Sequence, residues 1–249
     1  MSSQHEDIPC SIGVYIDTET IIQQLQDVLE RYSSQDIIRE IVQNADDAGA
    51  GRLVFFVLET GIPAAVQHPN IHPLLRCSAM LILNDGPLKK EDVKGIARLI
   101  GGSKQEDSSK VGRFGLGLKS LFHVCEAFFF GPYRSPDPSI QGTLFDPWIG
   151  IRSTPEYLDK LPQWTDVQTV TACNIISKFI DKNYGDSYSN GFFIYIPFRE
   201  LKDTNSLAIK NYSITSHDFI MNFYLNKTLQ QLALSFSQCS SLHYIEFFN

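Results

Sequence analysis

The chain has 249 residues, 43% hydrophobic and 20% charged, enough for a sizeable core; this excludes a disordered tail and a disulfide-stapled miniprotein. Its 21 basic and 28 acidic residues leave a formal net charge of -7, so the surface as a whole is not built to grip nucleic acid or an anionic membrane, and any polyanion must be held locally. The cysteines Cys10, Cys77, Cys125, Cys173 and Cys239 are widely spaced, with no Cys-x-x-Cys pair and no His at zinc spacing; they fit a reducing, cytoplasmic setting.

Residues 1–13 read as a flexible leader without a basic-then-apolar export signal, and no apolar run approaches the length of a membrane span. From Thr18 to Tyr32, Ile21, Ile22, Leu25, Val28 and Leu29 recur at helical spacing and predict a first helix. A second helix covers QDIIREIVQNADDAG, with Ser33 or Ser34 as N-cap, Asp36 placed for a capping box and Gly49 as the stop. Arg52–Leu58 and Ala79–Leu83 are short apolar runs that predict buried strands, separated by a loop containing Pro and His. A helix over Glu91–Ile100, a polar Gly/Ser/Lys loop over 101–111 and a helix over Leu116–Glu126 follow, then a strand at AFFFG. Residues 131–165 carry six of the twelve prolines and read as an irregular connection with a short strand near Thr143–Ile151. Helix over Val167–Lys182, strand over Gly191–Phe198, a long helix over Ser216–Phe236 and a strand over Leu242–Phe248 complete the chain. The expected fold class is α/β, a two-layer sandwich of a mixed, mostly antiparallel sheet with helices on one face. Residues 14–249 read as one domain, 14–130 holding its core motifs, 131–165 the connection and 166–249 the remaining elements. Because the chain stops just after an apolar strand, it reads as a piece of a longer protein.

Three features carry chemistry. On the second helix, at about 100° per residue, Asn44 lies roughly 40° and Asp47 roughly 20° from Glu40 on either side, so the three share one face. Ile37, Ile38, Ile41, Val42 and Ala45 occupy another stripe, suited to the core. A carboxylate, an amide and a carboxylate in line can hold a hard cation and orient a water, or can simply be a solvated face. The second feature is VGRFGLGLKS, in which Gly112, Gly115 and Gly117 let backbone N–H groups approach an anion at a helix start. Its G-x-x-G-x-G order differs from the dinucleotide loop, and Leu118 between Gly117 and Lys119 breaks the Walker pattern. The third is ILNDGPL, where Asp85 and Gly86 end a buried strand; Asp85 can accept from an exocyclic amine such as adenine N6, or Asn-Asp-Gly can be a plain turn.

In this order and spacing, the three features resemble the GHKL ATPases, which include gyrase, the large heat-shock chaperone, histidine kinases and MutL. REIVQNADDAGAGRLVFF, GGSK and GRFGLGLKSLFHV are similar to the amino-terminal ATP-binding module of sacsin-type proteins, over about Thr18–Phe130 and more weakly through NGFFIYIPFR. The resemblance implies a Bergerat-type sandwich and magnesium-dependent ATP binding with slow hydrolysis. It makes Glu40 the base for water, Asn44 the magnesium ligand, and Asp47 with Ala48 the pocket floor. Asp85 with Gly86 would read adenine. Gly112, Arg113, Phe114, Gly115, Leu116 and Gly117 would form the phosphate loop, and Gly101–Lys110 a lid, with Ser103, Lys104, Lys110 and Lys119 near the phosphates. ATP or ADP, other domains of a parent protein and a nucleotide-dependent dimer are the implied partners, in a chaperone-like or defence-type setting. Nucleic acid and membrane are not indicated. From Gly86 to Ser120 there are eight basic and four acidic residues, against 13 and 24 elsewhere, a basic island that suits a triphosphate. Three positions differ from the usual pattern: Pro87 follows Gly86, Phe192 stands where Thr is common, and Leu118–Lys119 where an aromatic or Asn is frequent. These differences motivate a second expectation, a degenerate nucleotide-sensing or protein-interaction module without turnover.

Overall fold

The computed structural model describes residues 18–31, 33–34, 36–66, 71–98, 114–148, 164–184, 189–200, 209–210, 212–224 and 226–248. The expected leader and the lid therefore lie outside the described residues, as do Ser103, Lys104, Lys110, Gly112 and Arg113.

Helix α1 (Thr18–Arg31) buries Ile21, Leu25 and Leu29, one apolar residue per turn. Helix α2 (Asp36–Asp47) buries Ile37, Ile38, Ile41, Val42 and Ala45, the stripe predicted for the core. At its start the Asp36 carboxylate accepts from the Ser33 N–H at 2.9 Å, the acidic half of a capping box. At its end Gly49 takes φ 74°, and the N–H groups of Gly49 and Ala50 donate to the carbonyls of Asp46 and Ala45, the paired bonds of a Schellman stop.

Six strands follow: β1 (Arg52–Leu58), β2 (Ala79–Asn84), β3 (Phe128–Tyr133), β4 (Thr143–Phe145), β5 (Gly191–Pro197) and β6 (Tyr244–Phe248). They form one mixed sheet in the order β4-β3-β5-β2-β1-β6, antiparallel throughout except for β1 beside β6. β2 is buried at every residue, which is why it reads in sequence as a continuous apolar run and not as an alternation. One sheet face, carrying Phe55, Met80, Ile82, Phe128, Phe130, Ile194 and Ile196, packs on α1 and α2.

The fold is thus the expected α/β sandwich, but the second sheet face is also covered. Val54, Phe56, Leu81, Leu83, Phe129, Phe193 and Tyr195 pack there against Ala172, Ile176 and Ile180. Those three lie on the 19-residue helix Asp166–Tyr184. The segment between β1 and β2, expected as a plain loop, contains α3 (Pro63–Val66) and a 3-10 turn (Pro73–Leu75). Proline at the first helical position loses no bond there, and the His72 imidazole accepts from the Leu74 N–H at 3.3 Å. Helix α4 spans Lys90–Arg98 and α5 spans Phe114–Lys119. The helix expected to reach Glu126 instead tightens into a 3-10 turn at Ser120–His123 and stops. Helix α6 (Asp166–Tyr184) is the one that covers the second face. Ser216–Phe236 was expected as a single helix; the structure describes α7 (Ser216–Tyr224) and α8 (Asn226–Ser237) on either side of Leu225, which is outside the described residues. Among the described residues no helix is long and apolar enough to cross a membrane.

Candidate functional site

The candidate site lies where α2, the end of β2 and the helix α5 converge. Glu40 projects from α2 with a side chain 15% exposed, and its Oε1 lies 3.3 Å from the Arg39 guanidinium. Against it stands Gly117 of α5: a Cβ there would lie 2.5 Å from Glu40 Oε2 and 3.2 Å from Glu40 Cβ. Only hydrogen fits between the two helices, so glycine at this position sets how closely the carboxylate approaches the α5 backbone. Residues 77 apart in sequence are thereby in direct contact, and both belong to the set read from sequence.

One turn further along α2, Asn44 is half-buried, and Asp47 and Ala48 are exposed at the helix end. Gly86, just past β2, is buried against this end: a Cβ there would lie 3.3 Å from both the Cβ and the carbonyl oxygen of Ala48. The Gly86 N–H donates to Asn84 Oδ1 at 3.0 Å, which fixes the turn after the strand. Asp85 does something the sequence reading did not anticipate. Its Oδ1 accepts from the backbone N–H groups of Gly51 and Arg52, at 2.7 and 2.9 Å, and so caps the start of β1. The β1–β2 register, with Leu53 opposite Asn84, brings those amides to it. Its Oδ2 is not engaged by these amides.

Phe192 sits in register with Asn84, on the α2 side of the sheet, and packs edge-on to Phe130 at 6.0 Å. An aromatic ring therefore fills the position beside Asn84 where a hydroxyl was the usual expectation. Its neighbour Gly191 passes the Asn84 carbonyl so closely that a Cβ would lie 2.4 Å from that oxygen. Lys119 closes α5 and is partly buried; loss of water around the ammonium lowers its pKa from the ordinary lysine value. Among the described residues no carboxylate pairs with it. Phe114, Gly115 and Leu116 lie in the α5 backbone.

Two site supports escaped the sequence reading. Asp46 points away from the row formed by Glu40, Asn44 and Asp47, and accepts from the N–H groups of Ser240, Ser241 and Leu242 at 2.9, 2.6 and 3.0 Å, tying α2 to the segment that enters β6. Arg199, 2% exposed, pairs with Glu126 behind α5. The signal for Arg199 was an arginine straight after a fully apolar strand. Its partner, 73 residues away, has no local mark.

The molecule is thus an α/β sandwich in which a helix-borne carboxylate seats on the glycine of a second, glycine-rich helix. A family model described as the Sacsin domain matches residues 18–241, nearly the whole chain, and the chain belongs to that family. Human sacsin is 32% identical over 110 residues, covering 44% of this chain and 2% of that protein, so the match spans a small fraction of this relative's length.

Proposed function

We propose that this Sacsin domain is a GHKL-type nucleotide module that binds ATP with Mg2+ at the α2–β2–α5 junction and hydrolyses it slowly. The observation that supports this reading most is the seating of Glu40 on Gly117, which puts a largely buried carboxylate against the helix that would receive the phosphates. In this reading Glu40 accepts a proton from the attacking water. The N–H groups around Gly115 and Gly117, with Gly112 before them, bind phosphate oxygens, and Lys119, partly desolvated and without a described carboxylate partner, supplies positive charge to them.

The donor chemistry fits magnesium that arrives with a triphosphate. Mg2+ keeps most of its shell as water and phosphate oxygen, so one half-buried amide oxygen from Asn44 suffices to hold it. Among the described residues no group of three or more His, Cys, Asp or Glu could hold a metal without such a ligand. The ion would offset charge on the phosphates. Adenine selection would fall to Asp85 Oδ2, with Gly86, Asp47 and Ala48 beneath it. Ser103 and Lys104, on the segment expected to close over the nucleotide, would couple its state to other domains of a larger protein, chaperone-like or defence-type, or to a second copy.

A second reading has a specific observation behind it. Asp85 Oδ1 is already committed to the Gly51 and Arg52 amides, and Phe192 fills the place beside Asn84. Both favour a degenerate pocket that senses nucleotide or serves as an interaction platform. Phosphate release by the full chain separates the two: slow release abolished in Glu40→Gln with ATP binding retained supports the enzyme, and no release from the unaltered protein supports the platform.

A further inference from the structure

Arg199 lies two residues past β5, and every residue from Phe122 to Glu126 is bonded to it. Its guanidinium donates to the carbonyls of Phe122, His123 and Cys125 at 2.5, 3.0 and 2.9 Å, its peptide N–H donates to the Val124 carbonyl at 2.7 Å, and its Nε pairs with Glu126. These carbonyls belong to the C-terminal end of the helical run that begins as α5, where acceptors lack intrahelical partners and partial negative charge accumulates. The Tyr212 ring lies 5.3 Å under the guanidinium, and its hydroxyl donates to the His123 carbonyl at 2.8 Å. Glu126 also accepts from the Trp148 indole at 2.8 Å and from the Ile209 N–H at 3.1 Å. A forked cation held this completely cannot turn or slide, and neither can the helical end it grips.

The same run carries Gly117 barely two turns earlier, and the Ser120 hydroxyl bonds back to the Gly117 carbonyl at 2.6 Å. Because the Glu40–Gly117 seat admits only hydrogen, a small rotation of α5 drives the two apart or into overlap. We propose that Arg199 is a positioning residue for the nucleotide site: it locks the rotation of α5 that seats Gly117 against Glu40. The proposal rests on the nucleotide reading above.

Calorimetric titration of MgATP into the full chain tests it, with Arg199→Lys, Glu126→Gln and the control Tyr133→Phe, which removes a partly buried hydroxyl bond to Asp181 on the opposite sheet face. Thermal melts fix a temperature at which all four proteins are folded. A lysine ammonium keeps the charge but cannot reach three carbonyls and a carboxylate together, so Arg199→Lys is expected to weaken ATP binding about ten-fold or more. It should also speed amide exchange over Gly117–His123, while Tyr133→Phe binds as the unaltered protein does. If Arg199→Lys does not fold, Glu126→Gln carries the same expectation. Unchanged ATP affinity in the folded clamp variant overturns the proposal, as does a loss matched by Tyr133→Phe at equal cost in melting temperature. Absence of MgATP binding in the unaltered protein removes the nucleotide reading and the proposal with it.

Discussion

Gly117 and Asp85 show how single residues decide this site. In an isolated helix, Gly117→Ala would stabilise by up to about 1 kcal/mol, because alanine loses less backbone entropy. Here the added methyl would lie 2.5 Å from Glu40 Oε2, an overlap whose relief costs about 1–3 kcal/mol, so the steric effect wins. Gly117→Ala is therefore expected to lower the melting temperature and, under the proposed ATP hydrolysis, to reduce phosphate release by pushing Glu40 aside; a stabilised variant would contradict the seat. Asp85 makes a different separation possible. Asp85→Ala strands the N–H groups of Gly51 and Arg52 at the start of β1, at about 1–3 kcal/mol for each one left unsatisfied, whereas Asp85→Asn keeps a carbonyl acceptor for them. Urea denaturation should find Ala clearly the more damaging, and ATP titration should find both weakened if Oδ2 reads adenine. Equal stability of the two variants would mean that the cap contributes little.

At the scale of elements, α2 is held at both ends by aspartates, and the C-terminal tie has a pH signature. Burial acts to raise the Asp46 carboxyl, but the N–H groups of Ser241, Ser240 and Leu242 outweigh it and hold it below the ordinary 3.8. A carboxyl lowered by folding contributes stability that is present above its unfolded pKa and lost as pH falls through the folded one. The melting-temperature gap between the unaltered protein and Asp46→Ala is thus expected to be steady near neutrality and to shrink below about pH 4; a gap independent of pH would refute the ionic tie. The contrast between α2 and α5 shows what the sequence makes legible. α2 was readable in full because its stripe, capping aspartate and Gly49 stop are all local. α5 was read as too long because its end is set by Arg199, which lies outside any local window, and because the tightening at Ser120–His123 leaves no mark in apolar spacing.

For the whole molecule, strand positions were legible and their order was not. Apolar runs marked β1, β2, β3 and β5 closely, yet nothing local says that β5 inserts between β3 and β2 or that β6 runs parallel to β1. Cover of the second face by α6 was missed for a related reason: a helix that buries Ala172, Ile176 and Ile180 while leaving Val167 and Val170 exposed has a weak apolar stripe. Glu40 and Gly117 both stand out in the sequence through the motif order, but their contact comes from the packing of α2 on α5, and the amides that occupy Asp85 come from strand register. The junction where α2, β2 and α5 meet is the proposed nucleotide site. The most direct measurement is a MgATP titration of the full chain beside Gly117→Val, whose branched side chain would fill the seat of Glu40. Saturable binding in the unaltered protein, lost in a folded variant, is the predicted result; absence of binding in the first, or equal binding in both, would contradict it.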